Sequence, residues 1–165
     1  MSPGSGKRKT HKFDDIDRRI IEELQKSSKI TNATLAERIG ISPPSTLERV
    51  RKLEASGVIT GYVALIDPEM VNKPVQAIVH VSMNRHSRAN LEKVKRALAG
   101  FEEVPACWHT AGDEDFVLRV VVSDMEEYEQ FVTKKLSSVG YIGKIRTAFV
   151  LSTLKQATQI PLDAV

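Results

Sequence analysis

The run Ser42-Pro43-Pro44-Ser45-Thr46-Leu47-Glu48-Arg49-Val50-Arg51-Lys52-Leu53 puts hydroxyl, carboxylate, guanidinium and ammonium groups within three helical turns. With residues about 100° apart, Leu47, Val50 and Leu53 form one apolar stripe. Ser45, Glu48 and Lys52 then point most directly away from it, with Arg49 and Arg51 on the flanks. A helix that enters the DNA major groove uses its N-terminal turns for base edges and its basic flank for phosphates. Ser42, Pro44, Ser45, Thr46 and Glu48 are the candidate groove contacts, and Arg51 and Lys52 the phosphate grips. Arg49 suits either role, since a guanidinium also grips guanine bidentately; its removal is expected to relax sequence preference. An ordinary amphipathic helix with a charged solvent face carries the same residue types, so the surrounding elements have to decide.

A second cluster, Gly112-Asp113-Glu114-Asp115, places carboxylates beside a residue without Cβ. A zwitterionic amino acid needs an anion for its ammonium and N–H donors for its carboxylate. Asp113 and Asp115 supply the first and the backbone around Gly112 the second. Gly and Asp are also common turn formers, and by chemistry alone a plain acidic turn is the better reading. Cys107-Trp108-His109, with His80 and His86 elsewhere, suggests metal binding. Cys-x-His is not a usual zinc spacing, however, and no second pair of ligands is evident. Cys107 reads as a buried small apolar residue and His109 as a pocket wall; Trp108 suits an interface or pocket, but a lone Trp in a strand is more often core. No nucleophile–base constellation, glycine-rich phosphate loop or metalloprotease motif is present, and the expectation is a protein without catalytic activity, metal or cofactor.

Around the first cluster the periodicity predicts three short helices. The first starts at an Asp14 cap, carries Ile16, Ile20, Ile21 and Leu24, and ends near Ser27-Ser28. The second follows Thr31 or Asn32, buries Leu35, Ala36 and Ile39, and stops at Gly40. The third opens at Ser42 with Pro43 in its first position and closes at Gly57. Helices joined by the tight Gly40-Ile41-Ser42 turn make a helix-turn-helix at residues 31–57. Val58–Asp67 reads as extended, a wing or linking strand, and Pro68 and Pro74 bracket a connector.

The remainder alternates strands and helices. Gln76–Met83, Val104–Thr110, Phe116–Val122 and Ile142–Leu154 read as strands, with helices after the caps Ser87 and Asp124. The order βαββαβ is that of a ferredoxin-like split βαβ domain, so the fold class is α+β. Its two helices cover one sheet face, and the apolar residues of the other call for a second subunit. The expected division is a disordered basic tail at 1–12, a helix-turn-helix domain at 13–60, a connector at 61–75 and an effector-binding, oligomerising domain at 76–165.

Charge follows this division. Residues 1–60 carry 12 Lys/Arg against 8 Asp/Glu, whereas 61–165 carry 12 against 13. A phosphate-bearing partner is therefore held by the N-terminal part. The tail Lys7-Arg8-Lys9 with Lys12 supplies as much charge as the whole excess, so residues 13–60 are near neutral and tight binding needs two copies. No apolar run has the length of a membrane span, and a single cysteine, Cys107, fits a reducing cytoplasm.

Phe13–Gln25, Ile30–Gly40, Ile41-Ser42-Pro43, Leu47-Glu48-Arg49-Val50-Arg51-Lys52-Leu53-Glu54, Gly57-Val58-Ile59-Thr60-Gly61-Tyr62 and the turn Gly112-Asp113-Glu114-Asp115-Phe116 together resemble the Lrp/AsnC (feast/famine) regulators, and in particular their leucine-responsive branch. The resemblance covers nearly everything after residue 12. It implies a winged helix-turn-helix joined to an amino-acid-sensing domain, dimers that pair through their sheets and close into octamers, and a small amino-acid effector bound between dimers near Gly112–Asp115. Matched by position, Ala77, His109, Met125, Ala148, Phe149 and Val150 fall where that branch tunes its effector response. His109 stands for an aliphatic residue, Ala148 for an aromatic one and Glu114 for an apolar one, a pocket change that speaks against leucine as the effector. The expected function is a nucleoid-associated, cytoplasmic, sequence-specific transcription regulator. Two alternatives are a nucleoid-compacting protein with little sequence preference and a sirohaem-decarboxylase-like enzyme of the same superfamily using His109 and Arg119.

Overall fold

Asp14 starts the first helix, α1 (Asp15–Lys26), by accepting a 2.8 Å hydrogen bond from the Asp17 N–H. The computed structural model describes residues 14–156 and 158–162, so the basic tail and Phe13 lie outside the described residues. Thr31 caps α2 (Asn32–Ile39) in the same way, and Gly40 ends it at φ 83°, a conformation that side chains with a Cβ disfavour. Ser42 caps α3 (Pro43–Ala55), whose two leading prolines fall where a helix has no N–H to spend. Ile20, Ile21, Leu35, Ile39 and Leu53 form the core that these three helices share. A wing or linking strand was expected at Val58–Asp67, but no ladder forms there. The Val58 and Ile59 N–H groups both bond to Leu53 O, at 3.0 and 3.2 Å, and the extended chain beyond them finds no partner strand among the described residues.

The chain separates into two units, one built from the residues up to Ala64 together with the segment from Lys155, the other from Leu65 to Leu154. The C-terminal segment was expected to stay with the second domain; it packs instead with the helices. The second unit is an antiparallel sheet in the order β2-β3-β1-β4, from β1 (Val75–Met83), β2 (Ala106–His109), β3 (Phe116–Val122) and β4 (Ile142–Phe149). With α4 (Arg88–Ala99) and α5 (Met125–Gln130) this is the ferredoxin-like α+β arrangement that the pattern predicts. β4 stops five residues short of the expected Leu154, one hydrogen bond (Val150 N–H to Gln76 O, 2.9 Å) past its last paired residue. Ala77, Val79, Val81 and Met83 alternate inward and meet Leu118, Val120, Val94, Leu98, Phe131 and Leu136. The chain after α5 widens into a π turn over Phe131–Lys135, which seats Phe131 edge-on against Phe101 at 5.4 Å.

The start of α5 carries an acid-sensitive joint. Asp124 accepts from the Glu127 N–H at 2.8 Å, while Glu127 accepts from the Ser123 N–H at 2.6 Å and from Lys73 at 2.8 Å. The Lys73 ammonium, with the Ser123 N–H and hydroxyl, holds the Glu127 carboxyl at about 2 against an ordinary 4.5. A depressed acid pKa stabilises fully above the unfolded value, so this contribution is present above pH 4.5 and is lost as pH falls toward about 2. Glu127→Gln is expected to lower stability at neutral pH by about 1–2 kcal/mol and to flatten the acid limb of the stability curve. Calorimetry between pH 2 and 7 checks this; parallel curves for parent and variant would remove Glu127 from the account.

Candidate nucleic-acid interface and ligand site

In α3 the buried stripe is rotated by about one residue from the expected one. Thr46 is fully buried and Leu53 nearly so, whereas Leu47 is 39% exposed. Thr46 tolerates this because its hydroxyl donates to Ser42 O at 3.0 Å, which leaves no polar group unsatisfied. Thr46 is thereby removed from the expected groove contacts, and Leu47 joins the outer face that hydrophobic pattern alone had turned inward. That face carries Ser42, Pro44, Leu47, Glu48, Arg51 and Lys52, with Ser45 half-exposed. Asn32 Nδ2 donates to Pro43 O at 2.8 Å and ties α2 to the start of α3. Among the described residues no carboxylate lies within ion-pair distance of Arg51 or Lys52, so both cations are available to an external anion.

Arg49 is engaged inside the protein. Its Nη1 donates to Asp17 Oδ1 at 2.7 Å and to Asp14 Oδ2 at 2.8 Å, both at the start of α1. Asp17 is only 7% exposed, so Arg49 neutralises a carboxylate that has little water. The Asp17 N–H and the Arg49 guanidinium hold the Asp14 carboxyl below its usual range, and the two aspartates push the Arg49 pKa up. The expected base or phosphate contact by Arg49 gives way to an ion pair that locks the roll of α3 against α1. Arg38 is likewise occupied, by Glu23 at 2.7 Å.

In the second unit Gly112 has φ 151°, which glycine alone adopts at ease, and an added Cβ would meet open space. The backbone conformation, and not crowding, is what requires glycine there. Asp115 Oδ2 accepts from the Met83 N–H at 2.7 Å and Oδ1 pairs with His86 Nε2 at 2.9 Å. Burial raises its pKa, but the Met83 N–H and His86 outweigh that and leave it below the ordinary value. Both Asp115 oxygens are thus committed to the fold. Asp113 is exposed, and among the described residues its carboxylate makes no ion pair. Glu114 folds back over the sheet to pair with Arg146, beside His80.

The expected ligand residues do not converge. Gly112, Asp113, Asp115 and His109 lie where β2 turns into β3, while Met125 and Phe149 lie at the other end of β3, about 20 Å away for a strand of this length. Met125, Tyr128, Val132 and Phe149 line a shallow apolar depression of about 510 Å³, rimmed by Glu126, Glu129 and Thr133. Phe149 meets the Tyr128 ring edge-on at 4.9 Å. Ala148 pairs with Ile78 on the opposite sheet face, and Ala77 is in the core. Trp108, read above as core, is 52% exposed on that opposite face. Cys107 is half-buried against the core, which pushes its thiol pKa up. The His109 ring lies tilted against Phe116 at 5.2 Å, whereas Arg119 faces the other side of the sheet and donates to Gln76 at 2.8 Å. The residues proposed for sirohaem chemistry therefore do not meet.

Residues 76–160 match the Lrp/AsnC ligand binding domain, and residues 13–60 match a winged helix-turn-helix DNA-binding domain. The chain belongs to the Lrp/AsnC family. It is 35% identical over 156 residues to the leucine-responsive regulatory protein of Haemophilus influenzae, covering 94% of each chain, and 35% identical to that of Escherichia coli K12, covering 94% and 95%. Among solved structures it resembles a transcriptional regulator of Neisseria meningitidis in complex with L-Met, with TM-score 0.87, 32% identity and coverage of 91% and 97%. An AsnC family transcriptional regulator of Agrobacterium tumefaciens gives TM-score 0.85, 34% identity and coverage of 90% and 97%. As a member of the Lrp/AsnC family, the chain is a DNA-binding transcription regulator with a helix-turn-helix DNA-binding unit and a ligand-binding domain built on the sheet. Among its described residues no helix is long and apolar enough to cross a membrane.

Proposed function

We propose that this Lrp/AsnC regulator binds pseudo-palindromic operator DNA as a homodimer, which assembles further, and that a small amino acid bound between subunits alters that binding. The observation that carries the reading is the outer face of α3, where Leu47 and Glu48 stand beside Arg51 and Lys52, which pair with no carboxylate among the described residues. Ser42, Pro44, Ser45, Leu47 and Glu48 meet base edges, with Leu47 suited to a thymine methyl, and Arg51 and Lys52 take phosphates. Dimerisation uses the sheet face opposite the helices, where Ile78, Val117 and Val121 are half-buried and Trp108 is exposed. Two such faces packed together bury apolar area that one copy leaves in water. A further contact between dimers would let the turn at Gly112–Asp115 of one subunit and the depression at Met125 and Phe149 of another meet on one ligand. The ligand is a small amino acid, in a cytoplasmic, nucleoid-associated regulator.

A duplex selected by the protein from a random-sequence pool tests the reading. The expected duplex is pseudo-palindromic, and bulk genomic DNA competes for it at least about 10³-fold more weakly. Equal competition would indicate a nucleoid-compacting protein instead. Lys52→Ala is expected to weaken binding to all sequences alike and to reduce the slope of log K against log salt by about 0.9 per recognition helix. Titrations from 50 to 300 mM salt, about the range in which such slopes are resolved, measure it; an unchanged slope would mean that Lys52 touches no phosphate.

A further inference from the structure

After Leu154 the chain leaves the sheet unit that β4 completes and joins the helices. Gln25, in the last turn of α1, grips one residue of this segment by both of its peptide groups. Gln25 Nε2 donates to Ile160 O at 3.1 Å, and the Ile160 N–H donates to Gln25 Oε1 at 2.6 Å. This is the double exchange by which two strand residues pair, with a side-chain amide in place of one backbone. Gln159 Nε2 donates to Gln25 O at 3.5 Å, one of the last carbonyls that an α-helix cannot satisfy itself. Leu162 then packs against the core of Ile20, Ile21, Leu35, Ile39 and Leu53. The Ile160 side chain is 71% exposed, so the contact reads extended backbone plus one apolar anchor.

We propose that this face of α1 is a dock for the chain's own C-terminal segment, and that docking gives the DNA-binding unit a second covalent tether to the ligand-binding domain. The first tether is the connector between α3 and β1. The second follows β4, whose Phe149 lines the candidate ligand depression, and reaches α1 eleven positions later at Ile160. The inference rests on the proposed bivalent DNA binding and states how the two domains communicate. A unit held by one flexible connector samples many orientations, whereas a second tether narrows them. Once one recognition helix is bound, a narrower range raises the effective concentration of its partner at the second half-site. A ligand that shifts β4 changes the tension on the docked segment and so changes operator affinity without touching α3.

The test uses the full chain and the variants Gln25→Ala and Leu162→Asp. Hydrogen exchange at the Ile160 amide reads docking directly. Protection of at least about tenfold over an unstructured peptide is expected in the parent, with loss of protection in Gln25→Ala. Docking is overturned if the parent amide exchanges at the peptide rate or if Gln25→Ala leaves it protected. Tethering is read on the duplex selected by the parent and on the same duplex cut to one half-site. Both variants are expected to bind the full duplex about three- to tenfold more weakly and the half-site as the parent does. Equal losses on both duplexes, or no loss on either, overturn the tether. A parent that selects no duplex refutes the DNA reading itself, and the exchange result still decides whether the segment docks.

Discussion

Replacing Arg49 by Ala is expected to destabilise the helical unit by about 2–3 kcal/mol, with DNA binding lost through unfolding and not through a missing base contact. The variant leaves Asp17 as a nearly buried carboxylate with its counter-ion gone, and it opens the only charged link between α3 and α1 found among the described residues. Full burial of such a pair costs about 3–5 kcal/mol on removal of one partner; the Arg49 side chain is 29% exposed and Asp14 lies at the surface, which places the expectation lower. Arg49→Lys keeps the charge but not the fork that reaches two carboxylates, and should recover about half the loss. The double variant Asp17→Asn, Arg49→Met should be more stable than Arg49→Ala, since no buried charge is then left alone. Thermal unfolding of the helical unit, followed together with binding to the selected duplex, separates the two accounts. A normally stable Arg49→Ala protein that binds every sequence alike would restore Arg49 as a base-reading residue.

The second large effect concerns the acidic turn, where two neighbouring carboxylates have different work. Asp115→Ala removes the acceptor for the Met83 N–H and for His86, and is expected to destabilise the sheet unit by about 1–3 kcal/mol while abolishing the response to amino acids. Asp113→Ala removes an exposed carboxylate and should change stability by less than about 0.5 kcal/mol, yet it too should abolish the response. A thermal-shift panel of the standard amino acids on parent and both variants measures this, because a ligand that binds the native state raises its apparent stability. An Asp113→Ala protein with the parent's full response would show that the anion facing the ligand's ammonium lies elsewhere. The contrast matters because each Asp115 oxygen already accepts a bond within the fold, so a ligand at either would compete with the Met83 N–H or His86.

Much of the fold is legible in the sequence. Asp14, Ser42, Ser87 and Asp124 each cap the helix they were expected to cap, and of the two candidates Thr31 and Asn32 it is Thr31 that caps the second. Caps and Gly40 act within four residues of chain, so their signals are local and survive in the sequence. The alternation of Ala77, Val79, Val81 and Met83 reports one buried sheet face in the same local way. The ligand site was less legible. Its residues were matched by position along the chain, and position along the chain does not say which residues of different elements the folded sheet brings together. Ala148 and Phe149, neighbours on one strand, lie on opposite faces of the sheet because successive strand residues alternate.

By itself the sequence determined the helix-turn-helix, the βαββαβ order and the family, because periodicity, capping and motif order are written in short windows. Tertiary structure alone decided which face of α3 is left exposed. Hydrophobicity prefers Leu47 inside, but Thr46 can satisfy its hydroxyl on the preceding turn, and Arg49 is drawn inward by Asp17, 32 residues earlier. It alone placed the C-terminal segment on Gln25, a pairing of backbone with side chain across 135 residues that leaves no pattern in either segment. Both outcomes depend on which distant polar groups satisfy one another, and that is settled only when the chain has folded.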